Sequence, residues 1–250
     1  RRYSLERVGR YKMNKKLNID VPNSKDHWML TREDIVGSIR YLMNLTHGNG
    51  DVDDIDHLGN RRIRRVGELV ATNAFRVGLL RLERSIREKM SLAGPAAEDL
   101  TPSQLVNARP IIASVNDFFR TSQLSTILDQ TNPLAEIDNL RRLSVMGPGG
   151  ITKERASFSI RDINASQYGR IDPVRSPEGP SIGLVTYLAL YTKVNKFGFL
   201  ESPYRKVEKV NVGGKVRAKV LSETVYLTAD DEENHRITHA SVNISSDGFI

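Results

Sequence analysis

The stretch from Asp117 to Leu184 holds the residues of this chain that are best suited to bind a charged ligand. Arg, Gln, Asn, Ser and Gly are interleaved along most of its length, and few of its residues follow an apolar helical or strand period. These polar side chains donate hydrogen bonds, and glycines leave backbone amides uncovered, so both can bind phosphate oxygens. The composition therefore indicates the lining of a polar, phosphate-rich channel rather than a core.

A second group of reactive side chains is the acidic run Asp51 to Asp56, which is followed by His57. Carboxylates at this density could hold a divalent metal and activate water, which is the chemistry of a metal-dependent nuclease. The spacing does not fit an EF-hand calcium loop, because Ile55 or Leu58 falls at the fifth position, where a ligand is needed. His57 is either a ligand beside an aspartate or a hydrogen-bonded structural residue.

Helices are predicted to position these groups. Thr31 and Asp34 form a capping-box-like start for a helix that runs to Leu45. A long amphipathic helix is predicted from Arg61 to Gly94 and Pro95. Its first turns hold the arginines at positions 61, 62, 64 and 65, and cations there oppose the helix dipole, so an anion is expected nearby, either the preceding aspartates or nucleic-acid phosphate.

Shorter elements follow this helix. Thr101 and Pro102 start a helical piece that Pro110 ends, and a short helix from Ile111 to Arg120 presents two core phenylalanines, Phe118 and Phe119. The last third is predicted to be β-rich. Residues 184–194 are apolar and β-prone, and residues 215–220 alternate apolar and basic side chains after the turn at residues 213–214.

Length, charge and composition limit the function. The chain has 250 residues, of which 39% are hydrophobic, and a formal net charge of +7, which favours a polyanionic partner. Basic residues are dense between positions 1 and 16, where we predict a solvated connector, with phosphate contact as the alternative. The absence of cysteine excludes disulfides, thiolate catalysis and cysteine-based zinc sites. No membrane span, signal segment or initiator Met is present, so we expect an internal fragment of a cytoplasmic protein.

Six ordered motifs occur within the polar stretch: 118–125, 129–134, 141–144, 147–155, 168–170 and 176–184. Their order resembles the β-subunit family of bacterial DNA-dependent RNA polymerases, in the fork region that carries the rifamycin-binding pocket. The resemblance extends upstream to residues 53–64 and downstream to residues 197–207, so it spans nearly the whole chain.

The resemblance implies two sets of binding residues. The surface that contacts RNA and rifamycin maps onto Gln123, Leu124, Ser125, Thr126, Ile127, Asp129, Asn139, Arg142 and Ser144, with Pro177 and Glu178 at the active-centre wall. The set that contacts DNA comprises a pocket for a flipped-out nontemplate guanine, and the second fork loop, which supplies basic residues. This set is Ile55, Asp56, Arg61, Ile151, Lys153, Arg155 and Ile160.

The chain also departs from the family pattern. Thr126, Ile127 and Asn139 stand where the family usually has Gln, Phe and His, so we predict weakened rifamycin binding. Arg175 replaces an acidic residue close to Glu178, so the local ion pairs must differ. The segment 68–75 is one residue longer than usual, which in a helix predicts a local bulge.

The fold class implied is α+β, within a larger multidomain subunit. A basic connector and helical region would occupy residues 1–110, the fork region residues 111–186, and a β-rich region residues 187–250, where the sequence stops. The parent would be a subunit of a nucleotidyltransferase, with β′, an α dimer, ω, sigma factor, DNA and nascent RNA as partners, located at the nucleoid. No catalytic residue is expected in this chain, and Mg²⁺ would be bound by the β′ subunit.

Two other classes remain open. A non-catalytic nucleic-acid-binding protein would show salt-dependent DNA binding without entering a polymerase. A metal-dependent nuclease would use the acidic run Asp51 to Asp56 and cleave nucleic acid in the presence of magnesium.

Overall fold

The computed structural model describes residues 3–50, 52–94, 101–212 and 215–250. The α-helices in these ranges are α1 (Glu6–Leu17), α2 (Arg32–Thr46), α3 (Val66–Val70), α4 (Arg76–Ala93), α5 (Pro102–Leu105), α6 (Arg109–Thr121), α7 (Pro133–Leu140), α8 (Phe158–Arg161) and α9 (Ala229–Glu232). The strands are β1 (Arg142–Ser144), β2 (Val185–Tyr187), β3 (Lys193–Val194), β4 (Leu200–Val212) and β5 (Lys215–Thr228). This mixture confirms the α+β class. None of the helices described is both long and apolar enough to cross a membrane.

A buried ion pair joins α1 to α2. The Arg10 guanidinium donates to both carboxylate oxygens of Asp34, at 2.7 and 3.0 Å, and to the carbonyls of His27 and Met29. Both side chains are fully buried. Thr31 and Asp34 form the predicted capping box, so one aspartate serves both the helix start and the ion pair.

The long helix that was predicted from Arg61 begins only at Val66, so the four arginines precede it in extended chain. Arg61 pairs with Asp56, one of the preceding aspartates that were expected as the nearby anion. Arg62 pairs instead with Glu68, in α3. Between α3 and α4 the chain forms a π-helical turn, Ala71–Phe75. This turn confirms the bulge expected from the extra residue, because a π turn accommodates one more residue than an α turn.

The helix α4 packs on α6 through a glycine. A Cβ at Gly78 would lie 2.9 Å from the Cα of Ile111, so only glycine allows this approach.

The prediction that Pro110 ends a helix was wrong: Pro110 lies in the first turn of α6, where its missing N–H has no helical partner to lose. Phe119, predicted as core, has 51% of its surface exposed in this chain. The predicted stop at Pro95 and the turn at 213–214 lie outside the described residues.

Two small antiparallel sheets form the β part. The first pairs β1 with β2, and the second has the order β3-β4-β5, with Glu201 opposite Thr228 and Val212 opposite Lys215. The ladder between β4 and β5 shifts register between Arg205 and Val207, which marks a bulge. The β-rich last third is therefore confirmed as a long hairpin.

The core lies where the second sheet meets the central loops. Leu58, Ile171, Leu200 and Ala229 are buried together there. The fully buried Arg170 pairs with Glu232 at 2.5 Å and donates to four carbonyls, those of Ser166, Tyr168, Leu200 and Leu227. Because a buried guanidinium must be neutralised and hydrogen-bonded, this residue ties the loop before it to the hairpin and α9.

Candidate nucleic-acid interface

The predicted RNA-contacting segment is a loop between α6 and α7. Ser125 donates to the carbonyl of Phe119 at 2.7 Å, and Leu124 packs against Gly147, where a Cβ would lie 2.8 Å from the Leu124 Cγ. Gln123 is exposed, with its amide 3.9 Å from the sulfur of Met146. The loop is thus fastened to the second fork loop by its apolar residue and presents its polar residues outward.

Most of the remaining residues in the predicted RNA set are accessible. Thr126 and Asp129 are exposed, and Ile127 exposes 96% of its surface. The hydroxyl and amide of Thr131 donate to Asp129 and hold the pKa of its carboxyl below the ordinary value. Asn139 is half-buried near the end of α7, whose start is capped by Asn132.

The strand β1 adds Arg142 and Ser144, and both are exposed. Arg142 lies opposite Tyr187 in the first sheet. Ser144 accepts from the amide of Met146 at 3.2 Å, which shapes the turn into the second fork loop. The sheet therefore fixes the backbone from which Arg142 projects.

The second fork loop, residues 147–155, turns at its glycines. Gly147 and Gly149 have φ of +112° and +75°, which favours glycine. The amide of Ile151 donates to Val145 at 3.1 Å, and Arg64 donates to the carbonyl of Pro148. Lys153 and Arg155 follow on an exposed 3₁₀ turn, and Ile151 is half-buried.

The loop of residues 52–61, which we call the aspartate loop, folds around its own carboxylates. The Asp56 amide and the Asn164 side chain donate to Asp54, at 2.9 and 2.8 Å, and hold the pKa of its carboxyl below the ordinary value. Asp56 accepts from Arg61 at 3.4 Å, and Ile55 exposes 82% of its surface. The loop thus presents an exposed aliphatic side chain next to a carboxylate.

His57 anchors this loop. Its Nδ1 accepts from the amide of Gly59 at 3.1 Å, and its Nε2 lies 3.1 Å from a carboxylate oxygen of Glu233. Leu58, the next residue, is in the core, and its amide donates to the Ser166 hydroxyl at 3.0 Å. Of the two roles left open for His57, the structure shows the hydrogen-bonded structural one.

The carboxylates of the acidic run have separate partners. Asp53 pairs with Lys16 at 2.5 Å, Asp54 accepts from Asn164, and Asp56 accepts from Arg61. Across the described ranges, no three histidine or carboxylate side chains come together as a metal site. Asp51, the first residue of that run, lies outside the described residues.

At the predicted active-centre wall, Pro177 is half-buried and Glu178 is exposed, just before the 3₁₀ turn Gly179–Ser181. Arg175 pairs with Asp138 and lies 3.8 Å above the ring of Tyr187. The ion pair that this arginine makes is with α7, and the change in local pairing relative to the family stays a prediction.

Several side chains whose contacts the sequence did not predict join these parts. Arg64, which follows the aspartate loop, donates to the second fork loop, and Asn164 links Asp54 of the aspartate loop to Ser166. Arg161 donates to the carbonyls of Lys153, Pro180 and Ile182. Ile160, predicted for the guanine pocket, is 9% exposed in α8. Arg64 and Arg161 act through backbone carbonyls, which sequence spacing does not reveal.

Two sets of basic side chains differ in their partners. On α1, Lys12 and Lys15 pair with Asp230 and Asp231, and Lys16 pairs with Asp53. These lysines have acidic partners within the chain and lie on a helix, and the solvated connector with its alternative of phosphate contact stays a prediction. By contrast, the side chains of Arg142, Lys153 and Arg155 make no hydrogen bond or ion pair with any described residue.

Three protein-family models match the chain. RNA polymerase Rpb2, domain 2, matches residues 1–64; RNA polymerase Rpb2, domain 3, matches residues 126–194; and the RNA polymerase beta subunit external 1 domain matches residues 204–250. These matches follow one another along the sequence without overlap.

Individual relatives are similar over the whole chain. Proteins named DNA-directed RNA polymerase subunit beta are 52% identical in Syntrophomonas wolfei and 51% identical in Trichormus variabilis, over all 250 residues. A third, from Methylacidiphilum infernorum, is 51% identical over the same length. The chain covers 22%, 21% and 18% of these three proteins, so it spans about a fifth of the length of the curated relatives it matches.

Proposed function

This chain belongs to the family of bacterial RNA polymerase β subunits, and from that premise we propose that it forms part of the active-centre channel wall of a DNA-directed RNA polymerase. There it contacts nascent RNA, template DNA and downstream nontemplate DNA. The fork segment supplies the RNA side, and the aspartate loop with the second fork loop supplies the DNA side.

One observation carries this proposal: three cations of the fork, Arg142, Lys153 and Arg155, have no protein partner among the described residues, whereas Lys12, Lys15 and Lys16 of α1 are paired with acids. A cation without a protein partner keeps its full capacity to displace counterions from a phosphate backbone. Arg142, Lys153 and Arg155 therefore bind phosphates, and the α1 lysines hold the fold together.

The aspartate loop is suited to a base rather than to a phosphate. The carboxylate of Asp56 can accept hydrogen bonds from the Watson–Crick edge of a guanine, and exposed Ile55 can cover the face of the ring. Arg61 orients this carboxylate from 3.4 Å. The loop would select guanine in the nontemplate strand through this pair of side chains.

Catalysis itself belongs to the assembled enzyme. We propose that Mg²⁺, which would supply charge stabilisation for phosphoryl transfer, is bound by the β′ partner subunit, as the resemblance implies. Within this chain the residues bind and orient nucleic acid. The assembly also includes the α dimer, ω and sigma factor, and works on DNA in the cytoplasm.

The proposal is tested with the double variant Lys153→Ala/Arg155→Ala in the full-length subunit, assembled with its partners. Each lost phosphate contact should reduce the slope of log affinity against log salt by about one unit, and promoter complexes should dissociate at lower salt. The matched control is Arg84→Ala/Arg87→Ala, which removes two exposed arginines of α4 that pair with glutamates on the same helix.

Three outcomes are informative. A reduced slope in the fork variant with an unchanged control supports the proposal. An unchanged slope in both contradicts phosphate binding by the fork. Salt-dependent DNA binding by a subunit that never supports RNA synthesis in a competent assembly would favour a non-catalytic nucleic-acid-binding protein.

A further inference from the structure

A carboxylate from the other end of the chain lies against the aspartate loop. The loop is close to the N-terminus, and Asp230 lies on α9, after the long hairpin. A Cβ built on Gly59 would overlap the Asp230 carboxylate, so the carboxylate occupies the volume that a side chain at residue 59 would need. Gly59 does not have a positive φ, so glycine is required here for space alone.

One ammonium group connects the two residues. Lys12 donates to the carbonyl of Gly59 at 2.8 Å and to Asp230 Oδ2 at 2.9 Å. The opposite side of Gly59 is fixed by His57, whose Nδ1 accepts the Gly59 amide. Both polar groups of the Gly59 peptide backbone are therefore bound by side chains, and the Asp230 carboxylate closes the remaining space.

Lysine side chains compensate the negative charge of the Asp230 carboxylate. Burial raises the pKa of the Asp230 carboxyl, but the hydrogen bond from Lys12 and the charges of Lys12 and Lys15 outweigh burial and hold the pKa below the ordinary value. His57 Nδ1 lies 3.8 Å from Asp230 Oδ1, and Glu233 lies on the other side of the ring. Asp230 therefore stays ionised at neutral pH and holds the ammonium in place.

The anchored and the presented parts of the loop are only a few residues apart. The carbonyl of His57 accepts from the amides of Asn60 and Arg61, at 2.9 and 3.1 Å, and Asn60 donates to the carbonyl of Asp54 at 2.8 Å. A displacement at Gly59 is thus transmitted through one tight turn to Asp56 and Arg61.

We propose that Asp230 is a positioning residue for nucleic-acid binding: with Lys12 it fixes Gly59, and through that turn it sets where Ile55 and Asp56 are presented to the nontemplate strand. This inference rests on the proposed function of the aspartate loop. Asp230 touches no nucleic acid itself; its effect reaches the base through Gly59.

The test uses the assembled polymerase with sigma factor on two promoters that differ only in the nontemplate base at the downstream edge of the bubble, guanine or thymine. The readout is the ratio of promoter-complex lifetimes, guanine over thymine. Asp56→Ala should abolish the preference. Asp230→Asn, which keeps the shape but removes the charge, should reduce the ratio at least threefold and leave the thymine lifetime within twofold of the unsubstituted enzyme.

Asp231→Asn is the matched control. It removes the ion pair with Lys15, so it also weakens the contact between α1 and α9, but Asp231 is not the carboxylate at Gly59. The ratio should be unchanged in this variant. In the double variant Asp56→Ala/Asp230→Asn, loss of Asp230 should have no further effect on the ratio, because both changes act on the same contact.

A second measurement follows the loop directly. Hydrogen exchange in the assembled enzyme should accelerate at residues 55–61 in Asp230→Asn and in Lys12→Met, with the exchange of the β4–β5 hairpin unchanged. Unaltered exchange at 55–61 in both variants overturns the inference.

The two proposals fail in different ways. A guanine preference that is abolished by Asp56→Ala but kept in full by Asp230→Asn overturns the positioning role and leaves the proposed function standing. A guanine preference that survives Asp56→Ala contradicts guanine binding by the loop, and it therefore also contradicts the positioning role of Asp230.

Discussion

The carboxylate of Asp230 fills the space next to Gly59, so the glycine of the aspartate loop and an acid 171 positions later form one contact. Gly59→Ala should therefore force the loop and α9 apart, at a cost of about 1–3 kcal/mol for overpacking. We expect faster hydrogen exchange at residues 57–61 of the assembled enzyme. Gly67→Ala is the control, because nothing lies within 4 Å of its Cβ and it lies in α3; equal effects of the two changes would contradict the steric argument.

The pair of Arg10 and Asp34 should dominate the stability of the α1–α2 contact. Asp34→Asn leaves a fully buried guanidinium without its counter-charge, which costs about 3–5 kcal/mol. Glu88→Gln, in the exposed pair with Arg84, should cost only about 0.3–0.5 kcal/mol. Limited proteolysis between α1 and α2 in the full-length subunit should show lost protection in Asp34→Asn, with Glu88→Gln, on α4, as the control that keeps it. Full protection in both variants would show that the buried pair contributes little.

Rifamycin should inhibit the assembled enzyme weakly. Thr126 and Ile127 lack the reach and the aromatic face of the usual Gln and Phe, and Asn139 replaces the usual His on α7. In a titration of promoter-directed RNA synthesis, the drug concentration for half-inhibition should be about tenfold higher for this enzyme than for the triple variant Thr126→Gln/Ile127→Phe/Asn139→His. That ratio corresponds to a difference of about 1.4 kcal/mol in the free energy of drug binding. Equal sensitivity of the two enzymes would discard the argument from these residues.

Deleting Thr72 should convert the π turn into regular α-helix. Because a π turn accommodates one more residue than an α turn, removing that residue should leave the orientation of α3 relative to α4 nearly unchanged, with α4 still held against α6 by Gly78. The bidentate pair of Arg62 with Glu68 should therefore persist, and Ile63 should stay bound to Gly198. Hydrogen exchange at residues 61–70 should match that of Thr72→Ala, which keeps the length; faster exchange in the deletion variant alone would contradict this expectation.

The docking of α1 on α9 should be insensitive to pH between about 5 and 9. Asp230 and Asp231 have lowered pKa values, so their contribution is complete above the ordinary aspartate value of 3.8 and is lost as the pH falls through the lowered values. Lys15 has a raised pKa, so its contribution is complete below 10.5 and is lost as the pH rises through the raised value. Exchange of α1, corrected for the intrinsic rate, should be flat in between; a transition inside this pH range would contradict the assignment to these three groups.

Local signals in the sequence predicted local structure well. Thr31 and Asp34 predicted the start of α2, and the extra residue near Thr72 predicted the π turn, because both depend on neighbours a few positions away. The start of the long helix at Arg61 was wrong for a tertiary reason. The amide of Ile63 donates to Gly198 and Arg65 donates to Val194, so extended chain is stabilised there by residues 129 to 135 positions away.

The candidate site shows the same division. Exposed polar residues such as Thr126 and Lys153 were predicted from composition and resemblance, and they remain predictions as binding residues. Asp230 was missed because its acidic type indicates only a solvated helix start. One signal in the sequence was the glycine at 59; its φ is not positive, so the close approach of the Asp230 carboxylate explains it.

The distance in sequence between Asp230 and its partners also sets an order of events during synthesis. Lys12 and Gly59 leave the ribosome long before α9 exists, and at about 5–20 residues per second the 171 intervening residues take about 10–30 s to be made. During that interval the nascent aspartate loop has neither its carboxylate neighbour nor a counter-charge for Lys12. The aspartate loop, which would contact nucleic acid, therefore acquires its final contacts late in synthesis. In a chain that is interrupted before residue 230, the loop lacks the contact with Asp230.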